Sequence, residues 1–307
     1  MEKFASIRCT HTYDVVGDDD DDDDAAWEDL RLWLNDLGIE KTIPELRELR
    51  KLDLSGKNLT DLSPLIGLMV NLRELDMAIN KLTALPDWVG RLVNLEVLCL
   101  VWNQLTTLPD SIGQLVNLRE LNLIHNQLES LPDSIGRLAN LRELILRWNR
   151  LTTFPDWICQ LTNLRELSLE KNKLNTIPDS ISQSVNLEFL DLSVNKLTTL
   201  PDSIGKLVNL RTLNVSSNKL ITLPDSMDQL VNIHVLDLGW NQLTTFPDFM
   251  YHLVNLRYLD LGGNKLTTFP DSTDHWVNLH KLILEGNPIT TLSASVDWMV
   301  NKYLIFD

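Results

Sequence analysis

Apolar side chains recur with a fixed phase through most of this chain. Leu49, Leu72, Leu95, Leu118, Leu141, Leu164, Leu187, Leu210, Ile233, Leu256 and Leu279 stand 23 residues apart, and eleven such turns fill residues 49–301 without an insertion. Counting 23 places from each of these residues, places one, four, six and eleven are apolar, as in Leu118, Leu121, Leu123 and Leu128. Leu121 and Leu123 flank polar Asn122, the alternation of a strand with one buried face. The second half of the same turn reads Leu131, Pro132, Asp133, Ser134, Ile135, Gly136, Arg137, Leu138. Proline pre-sets a helical start, aspartate or serine offers an oxygen to cap free amides, and Ile135 and Leu138 share a face at i, i+3. Each turn therefore predicts a short strand followed by a short helical or 3₁₀ segment. Strands of successive turns, stacked in parallel at ~4.8 Å, give a sheet about 50 Å long. The bulkier helical halves lie on the outside and bend the stack.

Place nine carries a column of asparagines from Asn80 to Asn287, with Asn126 in the fourth turn. A buried amide must be hydrogen-bonded, and the backbone of the adjacent turns is the nearest partner. The first turn departs, with Lys57 in that place and Asn58 one residue late. One turn cannot bury its leucines alone; stacking is what offsets the chain entropy. Both ends then need covers. Ala26, Trp27, Leu30, Trp33, Leu34 and Leu37 share one helical face and Gly38 can stop that helix, so residues 25–48 predict a capping helix and lead-in. Trp298, Met299, Tyr303, Leu304 and Phe306 are the candidates for the opposite lid, with residues 302–307 as the C-terminal cap.

The phrase Leu-Pro-Asp-Ser-Ile-Gly-x-Leu-Val-Asn-Leu-Arg-Glu-Leu recurs with few changes, as at residues 108–121. Together with L-x-x-L-x-L-x-x-N-x-L it resembles the 23-residue intracellular class of leucine-rich repeats. Similar arrays occur in Ras-interacting scaffolds, in plant intracellular Ras-group relatives and in bacterial proteins that include secreted effectors. The resemblance implies an α/β right-handed solenoid, a horseshoe with a concave parallel sheet and short helical or 3₁₀ convex segments. It implies protein recognition on the concave face, with a small GTPase or signalling enzyme as partner, and it carries over no catalytic residue and no cofactor.

Charge narrows the partner. The formal net charge is −16, and seven negative charges come from one aspartate run at residues 18–24. This balance disfavours nucleic acid and anionic membranes. The run predicts a flexible, self-repelling tail over residues 1–24, placed where negative charge favours the start of the capping helix. Cys9, Cys99 and Cys159 make neither a disulfide framework nor a zinc spacing, the six histidines form no i, i+4 metal pair, and no phosphate loop or nucleophile elbow occurs. With Met1, Glu2, Lys3 and Phe4 opening no apolar signal core, and no apolar run of ~18 residues, the expected compartment is cytoplasmic, a secreted effector being the alternative.

Recognition must then come from the variable places. Place two is mostly arginine (Arg73, Arg119, Arg142, Arg165) and place three supplies Glu74, Glu120, Glu143 and Glu166, which predicts two charge rows offsetting each other. Place eight reads Ile79, Trp102, His125, Trp148 through turns two to five, and Val101, Ile124 and Arg147 precede the last three. They predict an apolar, aromatic patch with a basic neighbour. Trp240 and Tyr258 suggest a second patch, and Phe189 lies between. Exposed clusters of this kind mark interfaces, rich in Trp, Tyr and Arg; the alternative is that the indoles fold over the adjacent loop. Self-association would use the same tryptophans. Trp88 and Trp157 fall on the outer face, and the aspartate column from Asp87 to Asp271 predicts helix capping.

The leading function is a non-catalytic interaction module or scaffold. A substrate-recognition arm of a bacterial effector or ubiquitin-ligase-type enzyme would need a catalytic domain, and only residues 302–307 follow the last turn. An acidic-tail binder of basic proteins would lose its partner when residues 18–24 are deleted.

Overall fold

A computed structural model of the chain describes residues 20–270, 274–290 and 304–305. Strands β1 (Lys51–Asp53) to β11 (Lys281–Ile283) are three residues each, and β12 (Leu304–Ile305) follows. All pair in parallel in the order of the sequence. Leu52 pairs with Leu75, Leu98 with Leu121 and Leu259 with Leu282, so the 23-residue period is also the strand register. At β12 the register becomes 22, Leu282 facing Leu304. Between strands, five-residue 3₁₀ segments recur, from Pro64–Leu68 through Asp133–Arg137 to Asp248–His252. Places four and six are buried in every turn described, with Leu121, Leu123, Leu144 and Leu146 all at 0% exposure.

The asparagine column is the hinge pin of each turn. Asn126 accepts the Leu105 amide at Oδ1 (3.0 Å) and donates through Nδ2 to the carbonyls of Leu100 (2.9 Å) and Leu123 (3.1 Å). One side chain thus satisfies backbone of its own turn and of the turn before. Because the ladder reaches backward, the first turn loses nothing by having Lys57 at place nine: Asn80 supplies the Leu59 amide and the Leu54 carbonyl.

A second ladder, which the repeat pattern left unread, runs through place 23. Asn117 Nδ2 donates to the Val93 carbonyl (2.9 Å), Asn140 to Val116 (2.8 Å) and Asn255 to Val231 (2.8 Å). These residues are exposed, and each ties one loop to its neighbour.

The aspartates do not cap as expected. In the 3₁₀ segments from Asp87–Arg91 to Asp248–His252 the cap residue is the proline, with no side-chain cap bond. The proline holds the extended φ/ψ of that place, so each aspartate becomes the first residue of the segment, where its charge favours the start, and Asp156 and Asp179 also accept from Ser180 (3.5 Å) and Ser203 (3.3 Å) of the next turn. Asp271 lies outside the described residues.

At the N-terminal end, helix α1 (Asp20–Asp36) buries Ala26, Trp27, Leu30 and Leu34 and packs Trp33 against the core, and Leu37 just beyond it does the same. It begins inside the acidic run, further back than a flexible tail over residues 1–24 allows. Arg47 bridges two aspartates of the run, Asp23 (2.9 Å) and Asp24 (2.8 Å). It ends a second short helix, α2 (Ile43–Arg47), that opens on a capping box between Thr42 and Glu45. Near the other end Trp276 takes the leucine place of its turn, is 1% exposed, and donates from Nε1 to the Met250 carbonyl (3.0 Å). Of the residues expected to form the C-terminal lid, Trp298, Met299, Tyr303 and Phe306 lie outside the described residues, and Leu304 is described as strand.

Candidate protein-binding face

Place eight has an unusual backbone. Ile79, Trp102, His125, Trp148, Lys171, Val194, Ser217 and Trp240 all have φ between 53° and 58°, and glycine fills the place in turns one, ten and eleven. A left-handed residue that is not glycine costs about 1–2 kcal/mol. The penalty is highest for β-branched side chains such as Ile79 and Val194. The residues are also outside the core: Ile79 is 64% exposed, Trp102 55%, Trp148 42% and Trp240 72%. Neither backbone preference nor burial accounts for them.

The turn repeat places three of these rings in one stack. Trp102 and His125 lie 3.8 Å apart at 9°, His125 and Trp148 5.9 Å apart at 16°, and Lys171 Nζ sits 3.3 Å from the centre of the Trp148 ring. Four successive turns thus present a continuous aromatic edge closed by a cation, each contact adding to area burial. Val101, Ile124 and Arg147 stand half-buried in the place before, and Arg147 pairs with Glu170. Ile79 extends the row by one turn.

The other expected residues do not join the stack. Trp240 is four turns beyond Trp148, about 19 Å at strand spacing. Its indole covers the next turn: a Cβ added at Gly263 would stand 2.8 Å from Trp240 Cδ2. The indole thus leans over the adjacent loop yet keeps most of its surface. Phe189 and Tyr258 occupy place three, in β7 (Phe189–Asp191) and β10 (Tyr258–Asp260), and both are half-buried. The Tyr258 hydroxyl donates to Asp260 (3.3 Å), and burial followed by the charges of Asp260 and Asp237 pushes its pKa up to about 12.

The charge rows pair differently from the expectation. Glu96 at place two lies between Arg73 (2.5 Å) and Arg119 (3.5 Å), and Glu188 between Arg165 (3.2 Å) and Arg211 (3.7 Å). Neutralisation runs along place two, because in-register neighbours face each other directly across the ladder. At place three Glu74 pairs with Lys51 (2.7 Å), but the later glutamates are left stacked on one another: Glu120 faces Glu143, and Glu143 faces Glu166. Burial, then the neighbouring glutamates, raises the Glu120 and Glu143 carboxyls above their usual range.

Place five repeats a local turn. Asp191 accepts the Ser193 amide (2.9 Å), Asp237 the Gly239 amide (3.0 Å) and Asp260 the Gly262 amide (2.8 Å). Asp237 shares its column with Asp191 and Asp260, and burial, opposed by the Gly239 bond and assisted by those charges, pushes it up to about 6. Burial also raises the Cys99 and Cys159 thiols, which keeps them protonated and poorly nucleophilic. Among the described residues no group of three or more His, Cys, Asp or Glu is arranged to hold a metal, and no helix is long and apolar enough to cross a membrane.

A family model for a leucine-rich repeat region matches residues 34–154 and 90–180, and a second, for the leucine rich repeat, matches 190–243 and 244–289. A solved leucine-rich-repeat protein of Leptospira interrogans shares 34% identity over 87% of this chain and 81% of its own, with a TM-score of 0.74. The chain belongs to the leucine-rich-repeat family. The functional domain of InlJ from Listeria monocytogenes, described as including a cysteine ladder, is 25% identical over 85% of this chain and 54% of that one, also at 0.74. An internalin of the same organism, InlF, covers 92% of this chain at 20% identity and a TM-score of 0.59, a likeness of fold alone. No curated protein is matched by the sequence. These matches bear out the α/β repeat solenoid; they carry no Ras-group assignment. Leucine-rich repeats commonly serve as protein-interaction modules.

Proposed function

We propose that this leucine-rich-repeat chain is a non-catalytic interaction module or scaffold that binds a partner protein on the concave strand face, anchored by Trp102, His125 and Trp148. The observation that carries the reading is the left-handed, exposed place eight. A fold optimised only for itself would keep glycine there, as turns one, ten and eleven do. Local strain held at exposed aromatic residues is a mark of a binding surface, and stacked Trp and His rings give a rigid anchor with little side-chain entropy left to lose.

Ile79, Val101 and Ile124 form the apolar surround, Arg147 and Lys171 its basic border, and Phe189, Trp240 and Tyr258 a further contact region for a long partner. The free Cys99 and Cys159 suit a reducing, intracellular compartment. A small GTPase or signalling enzyme as the partner rests on the resemblance to the intracellular repeat class.

The test is an affinity capture from lysate read by mass spectrometry, wild type beside Trp102→Ala/Trp148→Ala, with circular dichroism confirming that the variant is folded. A protein held by wild type and lost by the folded variant supports the reading. Identical captures for both proteins refute it.

A further inference from the structure

In turns two to ten, place ten holds lysine, arginine or glutamine and never an acidic residue, in a chain with 43 Asp and Glu against 27 Lys and Arg. Four of its cations are consecutive, Arg150, Lys173, Lys196 and Lys219, with Gln127 and Gln242 at the two ends, and all four are exposed. The coil does not need their charge. The place serves the turn through its backbone: Lys173 N donates to the Leu151 carbonyl (2.8 Å) and Lys196 N to Leu174 (2.9 Å), and Gln104 N makes the same bond to Leu82 (2.9 Å).

Nor is the charge neutralised within the chain. Among the described residues no carboxylate pairs with the four: Glu170 is held by Arg147, and Glu188 lies between Arg165 and Arg211. Beyond each cation the next five residues, such as 174–178, carry no charge before the aspartate column begins. Two residues before each stands place eight, where Lys171 adds a fifth cation over the Trp148 ring. The arginines of place two differ, because Glu96 and Glu188 interrupt them and Glu120, Glu143 and Glu166 stand beside them. Four like charges in register on neighbouring turns, ~4.8 Å apart at the backbone, repel one another, and an anion laid along them relieves that repulsion.

We propose that this ridge receives an acidic segment of a partner protein, laid along the coil across turns five to eight. From Arg150 to Lys219 is about 14 Å at strand spacing, which four or more consecutive Asp or Glu residues cover at about 3.4 Å each when extended. The flexible lysine stems follow carboxylates that do not match the turns in step. Charge selects protein over phosphate. A nucleic-acid backbone or an anionic membrane continues past the ridge over a chain of net charge −16 and is repelled there, whereas a short acidic segment meets the ridge alone. The ridge starts two residues beyond Trp148, so one partner can occupy the aromatic stack and the ridge together, but its charges act without the stack.

The experiment is fluorescence anisotropy of a labelled octaglutamate peptide titrated with the full chain at low and moderate salt. The expected result is saturable binding that weakens about tenfold in Lys173→Gln/Lys196→Gln/Lys219→Gln and also falls with salt, while octaglutamine does not bind. Arg91→Gln/Arg137→Gln/Lys206→Gln removes the same charge from scattered 3₁₀ segments and should bind the peptide as wild type does; circular dichroism confirms that both variants are folded. Octaglutamate that fails to bind wild type overturns the proposal. So does an equal loss in the two triple variants, which would make the effect one of total charge. Tighter binding of oligothymidylate or of phosphatidylserine vesicles than of the peptide, at the same salt, would assign the ridge to phosphate and contradict an acidic protein segment as its ligand.

Discussion

Replacing Asn126 by alanine removes one rung of the buried ladder. Its Oδ1 is the acceptor for the Leu105 amide, and its Nδ2 serves the carbonyls of Leu100, Leu123 and, at 3.4 Å, Ile124. The residue is 6% exposed, so water does not readily replace what is lost. An unsatisfied buried donor or acceptor costs about 1–3 kcal/mol. The Leu100 carbonyl keeps Asn103 Nδ2 at 3.2 Å, so the orphaned Leu105 amide sets the loss, about 1–3 kcal/mol. Asn117→Ala is the control: it removes a side-chain amide in the same turn stack, but from an exposed ladder with a single bond to Val93. There water takes over, and the expected loss is below about 1 kcal/mol. Urea unfolding followed by tryptophan fluorescence measures both, and hydrogen exchange at the Leu105 amide shows whether the opening is local, as repeat arrays allow. Equal destabilisation by the two substitutions, or an Asn126→Ala loss below about 1 kcal/mol, would refute the argument that the buried ladder pins the turns.

Three further outcomes follow from the geometry. Asp237, with its pKa up to about 6 against an ordinary 3.8, binds its proton more tightly folded than unfolded, so its contribution to stability is lost as pH rises from about 4 through 6. Asp237→Asn keeps an acceptor for the Gly239 amide, as Asn214 already does for Ser216, and should stabilise by about 1–3 kcal/mol at pH 7.5 and by little at pH 4 in paired urea titrations; an equal effect at both pH values refutes this. Ile79→Gly relieves a left-handed β-branched residue that is 64% exposed, and thermal unfolding should show a gain of roughly 1 kcal/mol rather than a loss. Gly205→Ala sets a Cβ 2.0 Å from the Ser226 carbonyl oxygen and should cost about 1–3 kcal/mol, while Gly67→Ala, whose nearest neighbour is Trp88 Cβ at 3.4 Å, should be near neutral; similar midpoints for both would contradict the packing.

The coil was legible because its period is a register. Leu121 is buried for the same reason as Leu98 and Leu144, and one rule repeated eleven times is read without ambiguity. Side-chain partners were less legible because they depend on which residue sits one turn away rather than beside it in sequence. Glu96 and Glu188 interrupt an arginine row, so charge is neutralised along place two, and Glu120, Glu143 and Glu166, which looked like partners for the arginines, face one another instead. The aspartate column suggested capping, but proline takes the cap position and leaves aspartate one residue inside. The second asparagine ladder was visible as a recurring Val-Asn-Leu and went unread because its residues are exposed, where periodicity carries no burial signal. For the proposed binding face, the place-eight pattern pointed to Trp102, His125 and Trp148; that their shared place is left-handed, and that Lys171 closes the stack, follows only from backbone angles and ring geometry.

The most direct measurement of the central claim is a calorimetric titration of a captured partner into wild type, Trp102→Ala/Trp148→Ala and Trp240→Ala, each confirmed as folded. The account predicts an affinity loss of at least a hundredfold for the double variant, on the order of 3 kcal/mol, and a smaller loss for Trp240→Ala, which stands outside the stack. Unchanged affinity in the double variant would contradict the assignment of the concave aromatic stack as the binding face.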